Sequence, residues 1–97
     1  MSERQPAVYL MANHYRGTIY TGVTSNLIKR IYEHRDGKII GFTQRYGCKR
    51  LVYYEVCPTM LSAIGWEKQI KAGSRKNKLK LIERQNPQWL DLYDTLF

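Results

Sequence analysis

The chain has 97 residues, of which 43% are hydrophobic and 25% charged, a balance that excludes a disordered polypeptide and suits one domain with a modest core. Sixteen Lys and Arg against eight Asp and Glu leave a formal charge of +8, which points to a polyanionic partner, although solubility alone also accounts for such a charge. The sequence has no long apolar run, signal peptide or lipidation motif, so a membrane partner is disfavoured and a cytoplasmic protein is expected.

Residues 7 to 12, "AVYLMA", are apolar and β-capable; "NHYRG" interrupts them and "TIYTGV" resumes the pattern, which predicts a hairpin with Gly17 easing the turn. Thr24, Ser25 and Asn26 are all competent N-caps, and Leu27, Ile28 and Ile31 follow at helical spacing, so a helix is expected to about Arg35 or Asp36, ended by Gly37. Residues 38 to 49, with Gly41 and Gly47, read as a loop. "RLVYYEV" is the third strand, closed by Pro58. Thr59 caps a second helix from about Met60 to Ala72, weakened by Gly65 and ended by Gly73 and Ser74. "RKNKLKLIERQ" is a third helix, basic outside and packed through Leu79, Leu81 and Ile82, and Pro87 stops it. The tail "QWLDLYDTLF" is expected as a short helix or turn docked through Trp89, Leu90 and Tyr93. The resulting fold class is α+β, a small sheet of about three strands flanked by helices in the order β-β-α-β-α-α. The first pair should be antiparallel; the pattern leaves the third strand's place, and an antiparallel or mixed sheet, undecided.

The cations are regional. Seven lie between Lys29 and Arg50 and seven between Lys68 and Arg84, while residues 87 to 97 carry none. Lys38, Arg45, Lys49 and Arg50, with Arg75, Lys76, Lys78 and Lys80, are therefore candidates for phosphate-backbone contacts, and Tyr46 or Phe42 for stacking on a splayed base, unless these are ordinary solvated and packing residues. Cys48 and Cys57 are the only cysteines and are expected as reduced thiols; a zinc site with His14 and His34 lacks the usual ligand spacing.

Two helices carry side chains that need a reason. At about 100° per residue, Glu67 of the second helix falls on the apolar face with Met60, Ala63, Ile64 and Ile70. An unpaired carboxylate there costs several kcal/mol or more, so it meets a cation, a metal or a hydrogen-bond donor, or else it pairs with Lys71 one turn on and is partly exposed. On the first helix Asn26, Arg30 and His34 share one side bordering the core. Arg30 can pair with Glu33 or Glu55, and His34 suits a helix C-terminus; alternatively both meet hairpin phenols at Tyr9 and Tyr20.

"AVYLM", "IYTGV", "SNLIKRIYEH" and "WEKQIK" together resemble the GIY-YIG nuclease domain, and in particular its small stand-alone bacterial members, as do "GFTQRYGCKRLVYYE" and "NPQWLDLY". Here the two signature triplets read Ala7-Val8-Tyr9 and Tyr20-Thr21-Gly22, so both tyrosines and the second glycine remain while a leading Gly and a middle Ile are replaced. The resemblance implies a single domain over residues 1 to 97 that hydrolyses DNA phosphodiester bonds, in repair or on branched structures, with one divalent cation, Mg²⁺ or Mn²⁺, held by Glu67 and no small-molecule cofactor. It implies that Tyr9 or Tyr20 activates water or organises the group that does, that Arg30 contacts the scissile phosphate, that His34 helps, and that Gly22 and Asn86 support the site. A phenol of ordinary pKa near 10 then needs a cation such as Arg30 or the metal to lower it. The alternatives are a nucleic-acid-binding module with little catalysis and an interaction domain within a repair or RNA complex.

Overall fold

The computed structural model describes residues 5–39 and 41–97. Strands β1 (Ala7–Ala12), β2 (Ile19–Thr24) and β3 (Arg50–Val56) form one sheet in the order β2-β1-β3, antiparallel throughout, so the third strand docks on the free edge of the first. Every residue of β1 is buried, as a central strand covered on both faces requires.

The two faces are separate cores. Val8, Leu10 and Ala12 pack with Ala63, Ile70 and Ile82 of the helices α3 (Met60–Ala72) and α4 (Arg75–Gln85). Ala7, Tyr9 and Met11 pack instead with Leu27 and Ile31 of α1 (Leu27–Arg35). The alternation of β1 thus sorts its side chains between two helix layers. A bulge between Leu10 and Met11 shifts the pairing from Leu10↔Tyr53 to Met11↔Leu51, leaving Val52 unpaired, and Val52 and Tyr53 both enter the Val8 core.

The helix starts follow side-chain chemistry. Asn26 caps α1 by accepting from Lys29 N at 3.2 Å, and Thr59 and Ser62 form a reciprocal capping box on α3. Ser74, expected as part of a helix end, is the N-cap of the next helix, accepting from Asn77 N at 3.1 Å.

Two expectations are corrected. The loop expected over residues 38 to 49 contains a short helix, α2 (Phe42–Tyr46), and its two glycines bound that helix: Gly41 at φ 119° before it and Gly47 at φ 67° after it. In the tail, which ends in a 3-10 turn at Tyr93–Leu96, Trp89 is fully buried and donates from Nε1 to Glu83 at 2.7 Å, but Leu90 is exposed. Trp89 at φ 56° turns the chain sharply enough to send the two side chains to different environments. Among the described residues, no helix is long and apolar enough to cross a membrane.

Candidate active site

The β1–β2 register sets Tyr9 opposite Gly22 and Tyr20 opposite Met11, so both phenols project from the face that α1 covers. A Cβ on Gly22 would lie 2.5 Å from the Tyr9 Cζ and hydroxyl and 2.9 Å from the Tyr20 ring. Any larger residue at position 22 therefore obliges the Tyr9 or Tyr20 ring, or the strand pair, to shift. The phenol rings stand 6.3 Å apart, and the His34 imidazole lies 5.5 Å from each.

His34 is 3% exposed, one of the three buried residues of α1. Its Nε2 meets the Tyr9 hydroxyl at 2.8 Å and its Nδ1 meets Thr43 Oγ1 of α2 at 3.1 Å. Burial first, and the nearby Arg30 charge second, lower its pKa from the ordinary 6.5 to about 4. The ring is therefore neutral at pH 7 and carries one N–H, so it donates at one nitrogen and accepts at the other.

Burial also governs Tyr9. It raises the phenol above its ordinary 10, aided by the adjacent Tyr20 and by Glu67 and opposed by Arg30. The cation acts in the direction expected from the sequence, but desolvation outweighs it. Tyr9 is a protonated phenol in the free protein.

The charges of Arg30 and Glu67 are both felt at the Tyr9 hydroxyl, Arg30 favouring its ionisation and Glu67 opposing it. Arg30 is loosely held, its Nη1 3.9 Å from Glu33 and its side chain nearly half exposed. Glu67 is buried on α3, which packs along the edge strand β2. Glu67 lies on the inward face and is buried rather than partly exposed, yet its Oε2 is paired with Lys71 Nζ at 2.7 Å as the alternative reading expects. That pair raises the Lys71 pKa, with Tyr20 adding to it.

Among the described residues no three His, Cys, Asp or Glu side chains cluster as a metal site. A single carboxylate still fits Mg²⁺, which keeps much of its water and takes one or two carboxylates together with substrate phosphate oxygens. Cys48 and Cys57 are buried free thiols.

The basic residues do not form one surface. Lys38 and Arg45 lie over the rings of Tyr32 and Tyr46 at 5.6 and 5.5 Å. Lys49 and Arg50 line a groove with Tyr32 and Tyr93, where Arg50 also donates to Trp89 O at 2.9 Å. Arg75, Lys76, Lys78 and Lys80 belong to α4, whose layer covers the opposite face of the sheet from Tyr9. Arg75 is further committed to the carbonyls of Arg16 and Gly17 at 2.6 and 2.9 Å, and Lys78 to Gly73 O at 2.9 Å.

Asn86 also stands apart. Its amide donates to Val52 O at 3.1 Å and Leu90 O at 2.9 Å and accepts from Leu90 N at 2.9 Å, which ties the tail to β3, the edge strand remote from Tyr20. Thr43 was not anticipated. Its place in a glycine-bounded stretch carries no periodic signal that would turn it toward His34.

The GIY-YIG catalytic domain pattern matches residues 5–80, which include Tyr9, Tyr20, Arg30, His34 and Glu67 and exclude Asn86. The chain is 40% identical over 72 residues to a UPF0213 protein of Syntrophus aciditrophicus, covering 73% of this chain and 82% of that one. It is 37% identical over 82 residues to the UPF0213 protein SH2523 of Staphylococcus haemolyticus, covering 77% and 100%. The solution NMR structure of the UPF0213 protein BH0048 from Bacillus halodurans aligns with a TM-score of 0.57 at 30% identity, over 90% of this chain and 92% of that one.

Proposed function

The chain belongs to the GIY-YIG catalytic domain family, whose members of known activity are nucleases, and on that premise we propose that it is a divalent-metal-dependent endonuclease acting on DNA. One observation carries the reading: the Tyr9 hydroxyl meets His34 Nε2 at 2.8 Å, with the Tyr20 ring 6.3 Å from that of Tyr9 and 5.5 Å from the imidazole.

Arg30, open to solvent, binds the nonbridging oxygens of the scissile phosphate, where its planar fork matches the charge that develops as the phosphate is attacked. Glu67 holds the divalent cation, which supplies Lewis-acid stabilisation of the same charge when bound. In the tautomer that carries its proton on Nδ1, His34 donates to Thr43 Oγ1 and keeps a lone pair on Nε2 facing the Tyr9 hydroxyl; this is the tautomer the relay uses. Water gives a proton to the Tyr9 oxygen as Tyr9 gives its own to His34 Nε2. The new P–O bond forms from the resulting hydroxide, the bond to the leaving oxygen breaks, and solvent protonates that oxygen. Passing the proton through in one movement avoids a free phenolate, which burial of Tyr9 disfavours. The imidazolium it leaves is disfavoured by burial and by Arg30 as well, and becomes accessible when the bound phosphate neutralises the Arg30 charge.

A DNA-binding module without catalysis is the competing reading, favoured by Lys71 already occupying Glu67. Purified protein is incubated with Mg²⁺ or Mn²⁺ and linear, flap, fork and single-stranded DNA, with RNA as a further arm. Cleavage that is lost in Glu67→Ala and Arg30→Ala, with binding largely kept, is the expected result. Salt-sensitive binding without any cleavage establishes the binding module instead.

A further inference from the structure

We propose that Phe42 and Tyr46 form a stacking subsite for an unpaired DNA base beside the scissile phosphate, a subsite that deepens the nuclease reading and rests on it. The two rings sit four residues apart on α2 with centroids 4.7 Å apart. Phe42 is in turn 6.0 Å from Tyr20, which borders Tyr9 and His34. An aromatic ladder therefore runs from the buried phenol–imidazole pair out to the surface.

The outer two members of that ladder are not core residues. Phe42 and Tyr46 are 45% and 44% exposed, while Thr43 is the buried residue of the same short helix. Thr43 bonds His34, so α2 is anchored to the site by its polar residue and displays its rings to solvent. Hydrophobic burial does not account for rings left half open; a flat π surface for a ligand does.

The surroundings identify the ligand. The Arg45 guanidinium lies 5.5 Å from the Tyr46 centroid, and the exposed Lys38 and Lys49 flank the segment in sequence. An apolar protein segment gains nothing from the Arg45 charge beside the rings, whereas a nucleotide matches both parts: its base stacks on the rings and its phosphate meets the guanidinium. A paired base has both faces covered within the duplex, so a base on Phe42 or Tyr46 has left its partner. The substrate is thereby a strand that is single, flapped or looped at the cut.

The test measures binding without metal, so that it does not depend on cleavage. Wild type and the Phe42→Leu/Tyr46→Leu double variant, matched by circular dichroism, are titrated at fixed salt with a labelled single strand of DNA and with the same sequence as a duplex. The double variant should lose about 5- to 150-fold or more on the single strand, from the usual worth of one stacked base, and no more than about twofold on the duplex. Phe42→Trp, with a larger π face, should bind the single strand at least as tightly as wild type. Equal losses on both ligands, or no loss on the single strand, overturn the subsite. If no substrate is ever cleaved while the ring-dependent difference persists, the nuclease reading fails and the subsite stands. If cleavage of duplex DNA proceeds and single-strand binding ignores both rings, the reverse holds.

Discussion

Tyr9 of the central strand and His34 of the first helix, 25 positions apart in the chain, meet hydroxyl to Nε2 at 2.8 Å inside the protein. Tyr9→Phe removes one partner and leaves a buried ring nitrogen unsatisfied, which should cost about 1–3 kcal/mol in thermal or denaturant unfolding. The same change should reduce cleavage by about 100-fold or more, the usual worth of a proton-transfer group. Cleavage at the wild-type rate in Tyr9→Phe would remove the relay.

Thr43 is placed to act through His34, as a positioning residue. Thr43→Val should lower the cleavage rate at saturating DNA with little effect on binding and should displace the acid limb of the pH–rate profile, while Thr43→Ser should restore both. A purely packing role predicts the opposite ranking, since Val keeps the shape of Thr better than Ser does.

The depressed His34 pKa sets a direction for stability against pH. Between about 4, its folded value, and 6.5, its ordinary value, the unfolded chain binds a proton that the folded chain does not. The stability of the fold is therefore full above pH 6.5 and declines as pH falls through that window, by about 3 kcal/mol at its lower end. His34→Gln, unfolded in parallel by denaturant, should show a shallower decline. An identical slope in both proteins would mean that other groups carry the acid sensitivity.

Gly22 tests the steric floor of the site. Gly22→Ala places a methyl 2.5 Å from Tyr9, so either the strand pair separates or the ring moves. A cost of about 1–3 kcal/mol is expected, together with loss of cleavage that outlasts correction for the folded fraction. Wild-type stability and activity would show that the ring has room to yield.

Asn86 should separate stability from chemistry. Asn86→Ala deletes one hydrogen bond to Val52 of β3 and two to Leu90 of the tail, which together tie the tail to the sheet, and unfolding should be easier by about 2–3 kcal/mol. Cleavage per folded molecule should be unchanged. A specific loss of turnover would return Asn86 to the catalytic group.

The sequence was most legible where a local rule acts alone. Asn26 and Thr59 each cap a helix within one turn, and both helices begin where their side chains require. Glu67 was singled out because a carboxylate among Ala63 and Ile70 contradicts the helix pattern, and it is buried as that pattern demands. The glycine-bounded stretch around Phe42 was misread because Gly41 and Gly47 signal a break without saying how much helix fits between them. Arg75 reads as a phosphate-backbone candidate along with the lysines of its helix because no pattern along the chain foretells that its guanidinium closes on the Arg16 and Gly17 carbonyls, some 58 residues away. The Tyr9–His34–Thr43 contacts depend on three elements brought together by the sheet order, and that order is a property of the whole chain.

The indole at position 89 carries a practical consequence. The family pattern stops at residue 80, yet Trp89 fills the same interior as Val8, Leu10 and Ile82. A version trimmed to the matched span would lose the plug from that layer and half of the last helix with it. It would melt early or clump on expression, for reasons unrelated to catalysis. Gene designs for this protein should keep the acidic, aromatic end.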